Sequence, residues 1–325
     1  MARISFIFRN DVHLMDKSPA SWKGDYPAEI WSDLEQIGEL ARVHEATAVL
    51  DGGDYFHLKP STKNPHHLNE RTATTHNKYP CRTYGVEGNH DMSHNNLDSI
   101  VKQPLGVLFA SGVFNQLREE VFRDGSLCVR VVGVPYNPNL TLADLRGIQK
   151  KEGDTHLIAV VHALATKKQT ASAEDFFNEP VFDYPSLTSR KGPDCWLFGH
   201  WHKDQGIEVI DGKTFVNLGS VSRGSLVREN LERTPKVALI EISGEEGLKV
   251  TPIELNVLPA SEVFDLEKKA TQEKERKDIE SFIATLSSDL LGSVCTKDNV
   301  VKVIQGLSFA DEVRNEALRY LEMVD

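Results

Sequence analysis

What this sequence lacks narrows it first. No apolar run approaches the ~20 residues needed to cross a bilayer, so no membrane-spanning segment is expected. The run at residues 4–8 is too short for a secretory signal and reads as a first strand. Cysteine is scarce: Cys81, Cys128, Cys195 and Cys295 are scattered and form no CxxC pair. That argues against a disulfide framework and a structural zinc site, and for a reducing, cytoplasmic location. There is no internal repeat and no low-complexity tract. Basic residues are in deficit, with a net charge of −11. A broad basic face that holds nucleic acid unaided is therefore not expected. A nucleic-acid substrate remains compatible, since bound divalent metals or a partner subunit supply positive field locally.

What is there fits an ordinary globular chain. Its 325 residues suffice for one large domain and a smaller appendage. Strands are expected at 4–8, 46–50, 79–86, 127–135, 156–162 and 196–202, with helices at 31–43, 68–77 and 141–151. Thr141 is a candidate N-cap. Residues 215–220 and 236–242 read as strands of one antiparallel meander, and 166–192 as a long irregular polar stretch. After Pro259 the composition shifts towards Glu, Lys and Ala. The division is therefore a domain over 1–258 and a linker with a small helical region over 259–325. Ile279, Phe282, Ile283, Leu286 and Leu290 form an apolar stripe on a tail helix that must pack on the main domain or on a partner.

The chemistry lies at the ends of the strands. The first strand runs into Asp11-Val12-His13, two residues apart and so facing one side. The second ends in Gly52-Gly53-Asp54-Tyr55-Phe56-His57. The third ends in Gly88-Asn89-His90-Asp91, where Gly88 permits a sharp turn. His162 closes the strand at 156–162, and Gly199-His200-Trp201-His202 closes the next. Each cluster alone also reads as a surface turn or a structural histidine. Five of them, each just after an apolar run, do not. Open α/β sheets place ligand sites at that edge, and carboxylate with imidazole suits manganese, zinc or iron. His66, His67 and His76 fall in a polar stretch and are read as solvated rather than ligating.

These motifs together resemble the calcineurin-like metallophosphoesterase superfamily over about residues 4–242. Within it they look most like the SbcD-type nucleases of double-strand-break repair and recombination. The further pointers are Gly52-Gly53-Asp54-Tyr55-Phe56-His57, Pro104-Leu105-Gly106 and the chain length. The resemblance implies a four-layer α/β/β/α sandwich with a small C-terminal helical region. It implies two divalent metals, foremost Mn2+, with Zn2+, Fe2+ and Mg2+ as alternatives. Asp11, His13, Asp54 and His202 would hold one ion. Asp54, Asn89, His162 and His200 would hold the other. His90 would donate a proton to the leaving oxygen, Asp91 would orient the His90 ring, and His57 would position the substrate. Arg9-Asn10 departs from the small residue usual before the first motif, which bears on substrate contacts and not on the metal ligands.

Three functions compete. The first is a manganese-dependent DNA exo- or endonuclease, supported by the Gly-Asp-Tyr-Phe-His run and the helical tail. The second is a phosphodiesterase of the same fold acting on a small ester such as a cyclic nucleotide, supported by the acidic charge. The third is a non-catalytic metal-bound scaffold, which His90 argues against because it is surplus to the ligand count. DNA is the expected substrate. An SbcC-type ABC ATPase, docked through the C-terminal helices, is the partner implied by the resemblance, and a homodimer is a further expectation.

Overall fold

Strand β1 (Arg3–Arg9) is buried from its second residue onward, with apolar side chains on both faces. That pattern belongs to a central strand covered on both sides. The structure, a computed structural model, describes residues 2–167 and 179–266 together with 271, 301, 314 and 315. The chain divides into two compact units, Met1–Val263 and Phe264–Asp325. The tail helix expected over 279–291 lies outside the described residues.

The strands of the first unit are β1, β2 (Ala48–Asp51), β3 (Arg82–Gly85), β4 (Phe114–Gln116), β5 (Glu119–Asp124), β6 (Leu127–Val134), β7 (His156–His162), β8 (Leu164–Thr166), β9 (Val181–Asp183), β10 (Cys195–Gly199), β11 (Asp204–Ile210), β12 (Lys213–Leu218), β13 (Lys236–Ser243) and β14 (Gly247–Glu254). They form two six-stranded sheets, ordered β14-β13-β1-β2-β3-β4 and β11-β12-β10-β7-β6-β5, beside a small β8-β9 pair. In the first sheet β1, β2, β3 and β4 are parallel, and the β13-β14 hairpin adds antiparallel to β1. In the second, β6, β7, β10 and β12 are parallel, while β5 and β11 are antiparallel edges.

The sheets pack face to face. Phe6, Phe8 and Leu50 of the first meet Val129, Ile158, Val160, Leu197 and Val216 of the second in one buried cluster. The outer face of the first sheet is covered by α1 (Tyr26–Val43), whose Ile37 and Ala41 pack on Ile7 and Val49. The outer face of the second is covered by short helical pieces at Leu142–Arg146 and Tyr184–Leu187, which bring Leu145, Tyr184 and Leu187 onto Trp196, Phe198 and Phe215. The result is the four-layer α/β/β/α sandwich.

Four local expectations are corrected. Helix α1 begins at Tyr26 rather than 31, because Asp25 accepts the Ala28 amide at 3.0 Å and Pro27 suits the first turn. The helix capped by Thr141 has its capping box with Asp144, but it stops at Arg146, where the Gly147 amide closes on the last-turn carbonyls. The expected meander is split: β12 belongs to the second sheet and β13 to the first. Within 166–192, β9 and the turn of helix at Tyr184–Leu187 are regular.

Candidate metal centre

The two sheets bring their strand ends to one edge. β1, β2 and β3 of the first sheet and β7 and β10 of the second run towards it, and each delivers one of the five motifs. Two glycines make the approach possible. A Cβ on Gly199 would lie 2.4 Å from the Gly52 carbonyl oxygen, so the backbones of the two sheets touch there. A Cβ on Gly88 would lie 2.0 Å from Asp54 Oδ1. Beyond the strands the backbone is unusual. Asp11, His13, Asp54 and His200 have φ of 54°, 48°, 55° and 82°. Left-handed backbone is uncommon in residues other than glycine, and it gathers at functional sites.

Asp54 is the hub. It is buried, and its Oδ1 accepts the His90 amide at 2.7 Å. Its Oδ2 lies 3.8 Å from His13 Nε2 and 3.5 Å from His162 Nε2. Two ligand-type clusters share it: Asp11, His13, Asp54 and His202, and Asp54, His162 and His200. Within each, the candidate ligand atoms lie within 4.8 Å of one another. Asn89 joins the second through its Oδ1, 3.3 Å from His162 Nε2. His162 Nδ1 faces the Gly52 carbonyl at 2.7 Å, which leaves Nε2 as the free ring nitrogen towards the cluster.

The electrostatics suit cations. Burial alone would raise the Asp54 carboxyl, but the His162, His13 and His90 rings hold it well below the carboxylate range. Burial, followed by the neighbouring His202, pushes His13 well below the usual imidazole value. His162 moves the other way. Burial opposes its charge, yet Asp54 raises it to about 9. His13 Nε2 and His202 Nε2 sit 2.9 Å apart, with Asp11 Oδ1 3.8 Å from the latter. Imidazoles facing each other beside carboxylates are a donor set for divalent cations of the manganese, zinc or iron kind. The residues present therefore fit two such ions.

The remaining candidates fall around this centre. The His90 ring gives Nδ1–H to the His57 carbonyl at 2.6 Å and stacks on the His57 ring, with centroids 5.4 Å apart. Asp91 does not orient that ring. Its carboxylate is buried and accepts the amides of Gly88, Tyr55 and Phe56 at 3.0–3.3 Å. It ties the loop after β3 to the loop after β2, and the ring support expected of it comes from the His57 carbonyl instead. Burial, next to ionised Asp54, raises the Asp91 carboxyl well above its usual range, opposed by those amides.

Behind the loops, Arg9 is fully buried. It donates Nε–H to Asp51 at 2.7 Å, and its other nitrogens meet Tyr79 Oη and His76 Nε2. Asp51 in turn accepts the Gly53 amide. Asn10 donates to the Asp11 carboxylate. The Arg9-Asn10 pair thus braces the first two motifs. His76, expected in solvent, is buried as Arg9's partner, whereas His66 and His67 are exposed. Arg9→Met leaves Asp51 buried without its cation, and a loss of about 3–5 kcal/mol is expected. Chemical denaturation checks this, and an unchanged stability would contradict it.

Glu179 was missed by sequence reasoning. Its Oε2 lies 2.9 Å from His200 Nε2, and its Oε1 accepts the Tyr136 hydroxyl at 2.9 Å. The bond to His200 holds its carboxyl below the ordinary value. Glu179 lies in the stretch read from the sequence as irregular and polar, and no glycine stands just before it, so no motif marks it.

The centre opens on a cavity of about 460 Å³ whose lining includes His13, His57, His90 and His202 together with Tyr26, Ser220, Ser222, Ser225 and Asn230. A cleft of similar size, about 450 Å³, lies near Arg3, Glu241, Glu246 and Lys249 and contains none of the candidate residues. Among the described residues no helix is long and apolar enough to cross a membrane.

Residues 4–204, more than half of the chain, match the family described as calcineurin-like phosphoesterase. No curated protein matches. Among solved structures the chain is similar to a novel archaeal phosphodiesterase at 11% identity, covering 78% of this chain and 100% of that one, with a TM-score of 0.37. It is similar to a dimetal phosphatase from Danio rerio at 12% identity, covering 79% and 100%, with a TM-score of 0.45. It is also similar to the sulfate thiohydrolase SoxB of Thermus thermophilus at 14% identity, covering 90% and 62%, with a TM-score of 0.44.

Proposed function

The chain belongs to the calcineurin-like phosphoesterase family, and from that premise we propose that this metal-dependent phosphoester hydrolase is a DNA nuclease, with manganese as its metal. Bound at the two clusters, divalent ions would neutralise charge on the phosphoryl group and acidify a water for in-line attack. The protein's own part follows from the contacts above. Asp54 faces both clusters through Oδ2 while the His90 amide fixes Oδ1. The His90 ring, held at Nδ1 by the His57 carbonyl, would give a proton to the leaving oxygen from Nε2 in its doubly protonated form. His57 stands beside it on the cavity wall, where a phosphate flanking the scissile one can reach it.

The observation that carries the nuclease reading is local charge. The two segments that leave the cavity wall, residues 15–24 and 57–67, carry Lys17, Lys23, Lys59 and Lys63 against Asp16 alone. Asp16 is itself paired with His67 at 2.7 Å. In a chain of net charge −11 these two segments are locally basic, and lysines of that kind hold phosphate backbones.

The cavity itself favours the second reading. Its lining contains no lysine or arginine, and about 460 Å³ is a volume suited to a small ligand. A small phosphodiester would fit it without those lysines. The two readings part on one comparison: turnover with manganese of linear duplex DNA and of bis-p-nitrophenyl phosphate. The nuclease reading expects DNA to be cleaved. Hydrolysis of the small diester with intact DNA would overturn it.

His57→Ser sharpens the comparison. Losing one hydrogen bond to a phosphate costs about 1.5–3 kcal/mol, or roughly 10–100-fold in rate. That loss is expected on duplex ends and not on the small diester. Equal losses on both substrates would remove His57 from DNA positioning.

A further inference from the structure

The second cluster has a carboxylate partner beyond the sequence motifs. His200 is fixed at its backbone, where the amide donates to both Asp11 carboxylate oxygens at 3.1 Å. Its ring is fixed at Nε2 by Glu179 at 2.9 Å. Glu179 is in turn held by the Tyr136 hydroxyl. Tyr136 is buried, and its amide donates to the Glu87 carbonyl at 2.8 Å. Glu87 precedes Asn89 by two residues, and its carboxylate is clamped by Arg118 and Gln116. A continuous run of contacts therefore leads from the root of the Asn-His-Asp loop through Tyr136 and Glu179 to the ring of His200. His162, the other imidazole of this cluster, spends its second nitrogen on a neutral carbonyl. His200 alone of the two spends it on a carboxylate.

We infer that Glu179 is a positioning residue for the metal of the second cluster: by accepting the Nε2 proton of His200 it fixes the ring and its tautomer, so that Nδ1 carries the lone pair offered to the cation. The inference rests on the two-metal reading and deepens it. A carboxylate on the far nitrogen of a ligating imidazole orients the ring and raises its basicity, and losing such a partner costs about 10–100-fold in metal affinity. Glu179 is partly exposed, so its bond to His200 adds little to folding. Its removal should register at the metal and not in the stability of the fold. Tyr136→Phe removes only the hydroxyl that steadies Glu179, and should weaken the same ion by less.

The test titrates Mn2+ into the full-length protein, counts bound equivalents by electron paramagnetic resonance and calorimetry, and follows thermal melting alongside. The wild type is expected to bind two equivalents. Glu179→Ala should weaken one of them about 10–100-fold and leave the other and the melting temperature unchanged. Glu179→Gln, which keeps an acceptor oxygen for Nε2–H, should recover most of that affinity. Two unchanged equivalents in Glu179→Ala would overturn the inference. A Gln variant as weak as the Ala variant would also overturn it, because Glu179 would then act by charge or as a direct ligand. Equal weakening of both equivalents with a lower melting temperature would assign Glu179 to the fold instead. A wild type that binds fewer than two equivalents would overturn the two-metal reading, and the inference with it.

Discussion

Asp54→Ala is expected to abolish metal loading and turnover together. Both clusters share this one carboxylate, and no other residue belongs to both Asp11-His13-Asp54-His202 and Asp54-His162-His200. Its Oδ2 stands between His13 Nε2 and His162 Nε2, at 3.8 and 3.5 Å. Without it each cluster keeps its imidazoles, and the Asp54-His162-His200 group loses the one carboxylate among its candidate ligands. Two-metal centres contribute several kcal/mol to phosphoryl transfer, so turnover should fall by at least ~10³-fold at about 1.4 kcal/mol per decade. Metal content after gel filtration in manganese, measured by mass spectrometry, should fall well below the wild-type value. A variant that retained the wild-type metal content would remove Asp54 from the bridge.

His90→Ala should fail in a different way. The contact that His90 makes with Asp54 runs through its backbone amide, which the substitution keeps. The ring instead faces the cavity, beside His57. Metal content should therefore hold while turnover drops by ~10²–10⁴-fold, the range of a lost general acid. The opposite result has a structural meaning. His13, His57 and His90 also lie close enough to form a ligand group of their own. Loss of metal from His90→Ala would move His90 from proton donor to ligand, and would draw His57 into the same role.

The candidate ligand residues stood out in the sequence because their signal is periodic and local: a buried strand, a turn, then a ligand-type side chain, five times over. That signal depends on strand order in sequence, not on how the two sheets meet. The misreadings came from contacts that only the tertiary fold decides. Asp91 stands next to His90 in sequence, which suggests a carboxylate on an imidazole. In the tight turn the Asp91 side chain points back instead, onto the amides of Gly88, Tyr55 and Phe56. His76 looked solvated among polar neighbours, but helix α2 (His66–His76) turns it inward onto Arg9. The expected single meander failed because β12 and β13 have similar apolar patterns while lying in different sheets. Glu179 was invisible for a simpler reason: a carboxylate in a polar stretch carries no pattern until His200 is placed beside it.

The most direct test of the account is anomalous diffraction from crystals soaked in manganese, collected on the full chain. Two peaks are expected. One should lie among Asp11, His13, Asp54 and His202, the other among Asp54, Asn89, His162 and His200, roughly 3.5–4 Å apart as in two-metal sites, with Asp54 touching both. A single peak, or a pair of which Asp54 touches only one, would contradict the shared bridge on which the proposed chemistry stands.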